Sequence, residues 1–331
     1  MQDAKYTPVL TDTYLSAESF IPEDNCLYIY GKSDEDRTTH NALWLSKSKN
    51  LNLIEVTDQN LSQFTIVDNG EIISLRSTTD INKLWKRHTN FNQIYLDITG
   101  LIHPVWARIV QVALQNSLIV SVLYVEPDSY SRSLAPVEGM IYDLSNTIQG
   151  ISPLAGFATL SLRSNSNFAF IPLLGFEGTR LKYMVEQVQP SNEGITPVIG
   201  SPGFKPWYIF ESYLGNKSTL METGSWQTVR YAPANCPFSC FYLLHEISDS
   251  IQESAIKIAM VGTKPHALGA VLFALSSKKP TELVYDHPIR KSSRTTGLSK
   301  LLIYHISALF GGQSPSYNIN AQQFKPRKRN V

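Results

Sequence analysis

Short apolar runs alternate along the chain with segments whose apolar positions recur every three or four residues. "CLYIYG" (26 to 31), "LNLIEV" (51 to 56), "QIYLDITG" (93 to 100) and "LIVSVLYVEP" (118 to 127) read as strands. "THNALWLSKS" (39 to 48), "TTDINKLWKRH" (78 to 88) and "HPVWARIVQVALQNS" (103 to 117) read as helices, the last with Val105, Ile109, Val112 and Ala113 on one face. Strands apolar throughout, separated by helices, predict a mostly parallel sheet covered on both faces.

The second half repeats this order. "FAFIPLLG" (168 to 175), "ITPVIG" (195 to 200), "TVRYAP" (228 to 233), "KIAMVG" (257 to 262) and "TELVYDHP" (281 to 288) are strand-like. "TRLKYMVEQVQ" (179 to 189), "WYIFESYLG" (207 to 215) and "PFSCFYLLHEISDSIQ" (237 to 252) are helical. Landmarks at the strand ends also match. Gly31 and Arg37 correspond to Gly175 and Arg180, Thr99 and His103 to Thr263 and His266, and Tyr124-Val-Glu126-Pro to Tyr285-Asp286-His287-Pro. The expectation is an α/β chain of two Rossmann-like units with mainly parallel sheets, an internal duplication. The units fall at 1–130 and 168–312, with a Ser/Pro/Gly-rich connector at 131–167 that could add a hairpin and a basic tail at 313–331.

Composition narrows this picture. Of 331 residues, 43% are hydrophobic and 17% charged, which is ample for a large core. The formal charge of +1 gives no bulk attraction to nucleic acid or an anionic membrane. No apolar run approaches the ~20 residues of a membrane span, and the first residues lack the basic-then-apolar pattern of a secretory signal. A cytoplasmic protein is expected. Three cysteines, Cys26, Cys236 and Cys240, with no second close pair, predict free thiols and no metal site.

The candidate chemistry lies where ligands collect in open α/β sheets, at the carboxyl ends of the strands. In "VGTKPHALGAVLFA" (261 to 274), Gly262 would let backbone fold around an anion, and Thr263 would cap the next helix or bond a phosphate oxygen. Lys264 adds a point charge, Pro265 suits the first helical turn, and His266 follows. The competing reading is a capped turn with Lys264 in solvent. A P-loop and a dinucleotide fingerprint are both absent.

This segment resembles the Gly-Thr-Lys strand-to-helix turn of CRISPR-associated Rossmann-fold domains that bind cyclic oligoadenylates, some of which occur as tandem copies. The likeness covers the segment itself and the general α/β order. The first half departs from it, with Asp97-Ile-Thr99-Gly100 where Gly-Thr-Lys would stand. The resemblance implies a nucleotide or cyclic-oligonucleotide sensor in prokaryotic antiviral defence.

Further candidates sit on the other loops. Arg37, Asp97, Thr99 and Glu126 are the first-half positions for ligand contacts. Glu177 and Arg180 would bind ribose and phosphate, or pair with each other. Glu177, Asp286 and His287 are the candidate acids and bases, each also suited to a solvated or capping role. Phe204, Trp207 and Phe238 would stack a base or plug the core. Lys325, Arg327, Lys328 and Arg329 in the tail would touch nucleic-acid phosphates or aid solubility. Serine-hydrolase elbows and metalloprotease helices are absent. Three functions follow: a module for a nucleotide-like anion, its cofactor unknown; an enzyme cleaving or transferring a nucleotide or glycosidic group; and a structural subunit with a protein partner.

Overall fold

A computed structural model describes residues 10–88, 91–137, 139–159 and 167–310. Two compact units make up the chain. Met1–Ser33, Arg37–Glu126 and Leu298–Val331 form the first, and Asp34–Asp36 with Pro127–Gly297 the second. The fold is α/β, with a mixed sheet in the first unit and a mostly parallel one in the second.

In the first unit, β1 (Thr11–Tyr14), β2 (Cys26–Gly31), β3 (Leu51–Thr57), β4 (Gln63–Ile66) and β5 (Ile72–Ser74) precede helix α1 (Thr78–Lys86). Then come β6 (Ile94–Asp97), α2 (His103–Gln115) and β7 (Val120–Val125). With the late strand Leu301–Tyr304, these form an eight-stranded sheet ordered β1, Leu301–Tyr304, β7, β6, β2, β3, β4, β5. The four central strands β7, β6, β2 and β3 are parallel. Every residue of β2, β6 and β7 is buried, as strands covered on both faces must be. The core beside them is aromatic: Phe20, Trp44 and Tyr95 pack edge-on.

Three features depart from the pattern of the sequence. Residues 39–48 form two 3-10 segments, Asp36–Leu43 and Leu45–Lys47, rather than an α-helix. Thr38 and Asn41 are weak helix formers, and Thr38 Oγ1 is drawn into a bond with the Ser33 carbonyl. The β4–β5 hairpin interrupts the alternation of strands and helices, with Gly70, at φ 66°, supplying its turn. The third is the chain's return: Leu301–Tyr304 pairs with β7 and β1, so this part of the expected second unit belongs to the first.

The second unit begins with β8 (Ser129–Tyr130), β9 (Arg132–Val137), β10 (Met140–Tyr142), β11 (Ser145–Ile148) and β12 (Ser152–Pro153). The expected connector is therefore built into this unit. A hairpin forms from β9 and β10, β11 pairs with β18 (Pro288–Arg290), and β12 pairs with β17 (Thr281–Tyr285). Part of "FATLSLRS", the other segment read as a possible hairpin, lies outside the described residues.

The main sheet of this unit uses β13 (Phe168–Leu173), β14 (Val198–Gly200), β15 (Arg230–Ala232), β16 (Ala255–Met260) and β17, interleaved with α3 (Gly178–Val188), α4 (Tyr208–Glu222), α5 (Pro237–Ser250) and α6 (Lys264–Ser276). Its order is β12, β17, β16, β13, β14, β15. All pairings are parallel except that of β12. The crossovers reverse direction between β13 and β16. Helix α6 is buried from Pro265 to Phe273, as befits a helix that is apolar all round. Among the described residues, no helix is long and apolar enough to cross a membrane.

Candidate functional site

The turn after β16 is held tightly. A methyl group on Gly262 would stand 2.8 Å from the Leu174 carbonyl oxygen, and one on Gly175 2.6 Å from that of Val261. Only glycine lets the loops after β13 and β16 touch backbone to backbone. Thr263 is the N-cap of α6: its Oγ1 accepts the His266 N–H at 3.3 Å and donates to the Ala234 carbonyl at 2.7 Å. The hydroxyl is thus committed to the turn. Thr263→Val is expected to cost about 1–2 kcal/mol of stability, read as a lowered denaturation midpoint, through loss of the cap.

Lys264 follows at the first helical position and is partly exposed. His266 is wholly enclosed, and its Nε2 donates to the Pro233 carbonyl at 3.0 Å. Burial pushes its pKa down to about 4, against weaker opposition from backbone bonds, so the ring is neutral at physiological pH. It supports the loop beside the turn rather than offering a charge.

Glu177, Arg180 and Asp286 are brought together. Arg180 grips wholly buried Asp286 through Nε and Nη2, both at 2.6 Å, and its Nη1 reaches Glu177 at 3.4 Å and the Val261 carbonyl at 3.3 Å. Burial disfavours the charged guanidinium, yet the bonds and charge of Asp286 outweigh that and raise its pKa. Glu177 further accepts from the Leu144 N–H and Ser145 Oγ, and lies 3.6 Å from Arg290. Two carboxylates and two arginines thus balance, and both carboxylates are fully engaged. General acid or base work would break this network. His287 is 6% exposed and bonds Ser152 Oγ through Nε2.

The candidate stacking residues divide. Phe204 packs against the cluster of Tyr142, Leu144 and Tyr208, in which Phe176 stacks on Tyr142 at 4.3 Å. Phe238 is buried, whereas Trp207 is 50% exposed.

In the first unit the matched residues are all buried. Arg37 donates to Tyr124 Oη at 3.0 Å and the Val125 carbonyl at 2.9 Å, with its guanidinium 5.4 Å from the Tyr124 ring centre. Asp97 accepts from Tyr28 Oη, His40 Nε2 and the Thr99 N–H at 2.7–2.9 Å. Trp44 Nε1 donates to His40 Nδ1, so the proton given to Asp97 sits on Nε2. Burial works to raise the Asp97 pKa, and His40 and Thr99 outweigh it. Thr99 Oγ1 accepts the Val125 N–H, and buried Glu126 exchanges backbone bonds with Lys300 and Ser299.

Sequence reasoning missed Gln59. Its Oε1 accepts the N–H of Ile102, the N-cap of α2, at 2.8 Å, and its Nε2 donates to the Gly100 carbonyl at 3.1 Å. A side-chain amide of the chain itself thus occupies the start of α2. No local signal marks this residue, because its partners lie more than forty positions away. Among the described residues, no group of three His, Cys, Asp or Glu side chains could hold a metal ion. The basic tail lies outside the described residues. No family model matches the chain, and no curated protein does.

Proposed function

We propose that the chain is a binding module for a nucleotide-like anion, with its site in the second unit at the carboxyl ends of β13 and β16. The observation that carries this reading is the start of α6. There Gly262, Thr263 and Lys264 form a capped turn, beside the point where the strand order reverses, with a partly exposed lysine at the first helical position. The engagement of Glu177 and Asp286 by arginines favours binding over catalysis by those groups.

Duplication belongs to the same proposal. Numbering the parallel strands in chain order gives 5-4-1-2-3 in the second unit and, for β7, β6, β2 and β3, 4-3-1-2 in the first, which is the same order with the third strand left out. In each unit an arginine following the first of these strands lies over the tyrosine near the end of the last: Arg37 over Tyr124, and Arg180 over Tyr285. Gln59 fills the first unit's helix start, so one ligand per chain is expected. The resemblance to cyclic-oligoadenylate sensors makes those molecules the first ligands to try, and a role in antiviral defence follows if one binds.

The test is mass spectrometry of small molecules retained by the purified protein, then calorimetric titration with cyclic oligoadenylates. Lys264→Ala is expected to weaken binding by about 1.5–3 kcal/mol with the melting temperature little changed. Equal affinity in wild type and variant, or two ligands per chain, would overturn the site.

One observation favours a second reading, a subunit that docks on another protein. Along α4 and the residue before it, Trp207, Phe210, Leu214 and Met221 are each about half exposed or more and recur at helical spacing. Light scattering that shows concentration-dependent association, abolished by Phe210→Glu, would support it.

A further inference from the structure

Ser152 and His287 meet at the edge of the second unit's sheet. Ser152 stands opposite Tyr285 in the antiparallel β12–β17 pair. Beyond Tyr285 the chain must leave that ladder before β18 pairs with β11, and His287 makes the change of direction in the left-handed region, at φ 44°. A histidine there costs on the order of 1 kcal/mol relative to glycine. The turn sends the imidazole back onto β12, with Nε2 2.7 Å from Ser152 Oγ. The serine is exposed, whereas His287 is 6% exposed and its ring packs edge-on against Tyr285. Nδ1 has no hydrogen-bond partner among the described residues.

We propose that Ser152 is a nucleophilic serine with His287 as its base, an acceptor of small acyl groups from activated carboxylic esters. The geometry is that of a hydroxyl held within hydrogen-bond reach of a general base. Burial lowers the His287 pKa, opposed in part by Asp286 and by a bond with the Ser152 backbone. Ser152 Oγ attacks the ester carbonyl carbon as its proton passes to Nε2. The carbon–oxygen bond to the leaving alcohol then breaks, and the imidazolium returns the proton to that oxygen. Water repeats the step on the acyl-serine, so ester and water give acid and alcohol. This site does not depend on the anion-binding reading.

The test uses the full chain with p-nitrophenyl acetate, following p-nitrophenolate release and the acetylated residue by peptide mass spectrometry. Acetyl on Ser152 is expected, with its rate rising with pH through a value below 6.5 and then level. Asparagine tolerates the left-handed conformation and can hydrogen-bond Ser152 but cannot act as the base. His287→Asn should therefore fold and acetylate Ser152 about 100-fold more slowly. Acetyl confined to lysines in wild type, Ser152 acetylated at the wild-type rate in His287→Asn, or a rate that climbs without levelling would each overturn the proposal. The wild-type profile decides the matter even if the variant does not fold.

Discussion

Asp286→Ala is expected to lower the stability of the second unit by about 3–5 kcal/mol, more than loss of the Thr263 cap would. The carboxylate is wholly buried and takes two short bonds from Arg180. Without it the guanidinium stays buried, with Glu177 at 3.4 Å and the Val261 carbonyl at 3.3 Å as weaker partners. Most of the loss is then the cost of an uncompensated charge rather than the worth of a contact. Arg180→Met combined with Asp286→Leu should accordingly cost much less than the sum of the two single changes, because both charges leave together. A chain of two units need not unfold in one step, so the measurement is native-state hydrogen exchange at the amides of β16 and β17. A loss under about 1 kcal/mol would mean that the pair is solvated and the network adds little.

The architecture was legible where burial on both faces makes a strand apolar throughout. β2 and β13 show it, as does the helix that follows β16, whereas Ser121 interrupts β7 and half-buried Lys257 interrupts β16. The β4–β5 hairpin carried its Asp-Asn-Gly signal, but its short strands are masked by the longer alternation of strands and helices around them. The return of Leu301–Tyr304 to the first unit was not legible, since pairing across such a separation leaves no local pattern. The same holds for the site. Residue types at the strand ends marked Arg180, Glu177 and Asp286 as candidates and offered a Glu177–Arg180 pair, because charged groups there must meet a ligand or each other, but they did not reveal the Arg180–Asp286 pair. Which of the two occurs depends on what lies over them. Leu144 and Ser145 come from a segment that reads as a connector, and both bond Glu177. Gln59 and Ser152 were invisible for the same reason: each acts on a residue brought close only by the fold.

Acid should destabilise the second unit through His266, by about 3 kcal/mol between pH 6.5 and pH 4. The ring is wholly enclosed, and its folded value of about 4 lies below the ordinary 6.5, chiefly because burial penalises the imidazolium. The unfolded chain therefore binds the proton first. The contribution is fully present above pH 6.5, shrinks as pH falls, and is gone below about pH 4; a gap of roughly 2.5 units at about 1.4 kcal/mol each sets its size. Carboxylates titrate over part of the same range, so the comparison must be with His266→Gln. Glutamine keeps a donor for the Pro233 carbonyl and takes up no proton, and its stability should fall by about 3 kcal/mol less than wild type over that interval. Because His266 lies in the first turn of α6 and its N–H is capped by Thr263, protonation would loosen the turn that presents Lys264. Anion affinity should therefore decline over the same pH range in wild type and hold steadier in the variant. Parallel pH profiles of stability would show that the imidazole is not enclosed as described, and the coupling between acid and the α6 turn would fail with it.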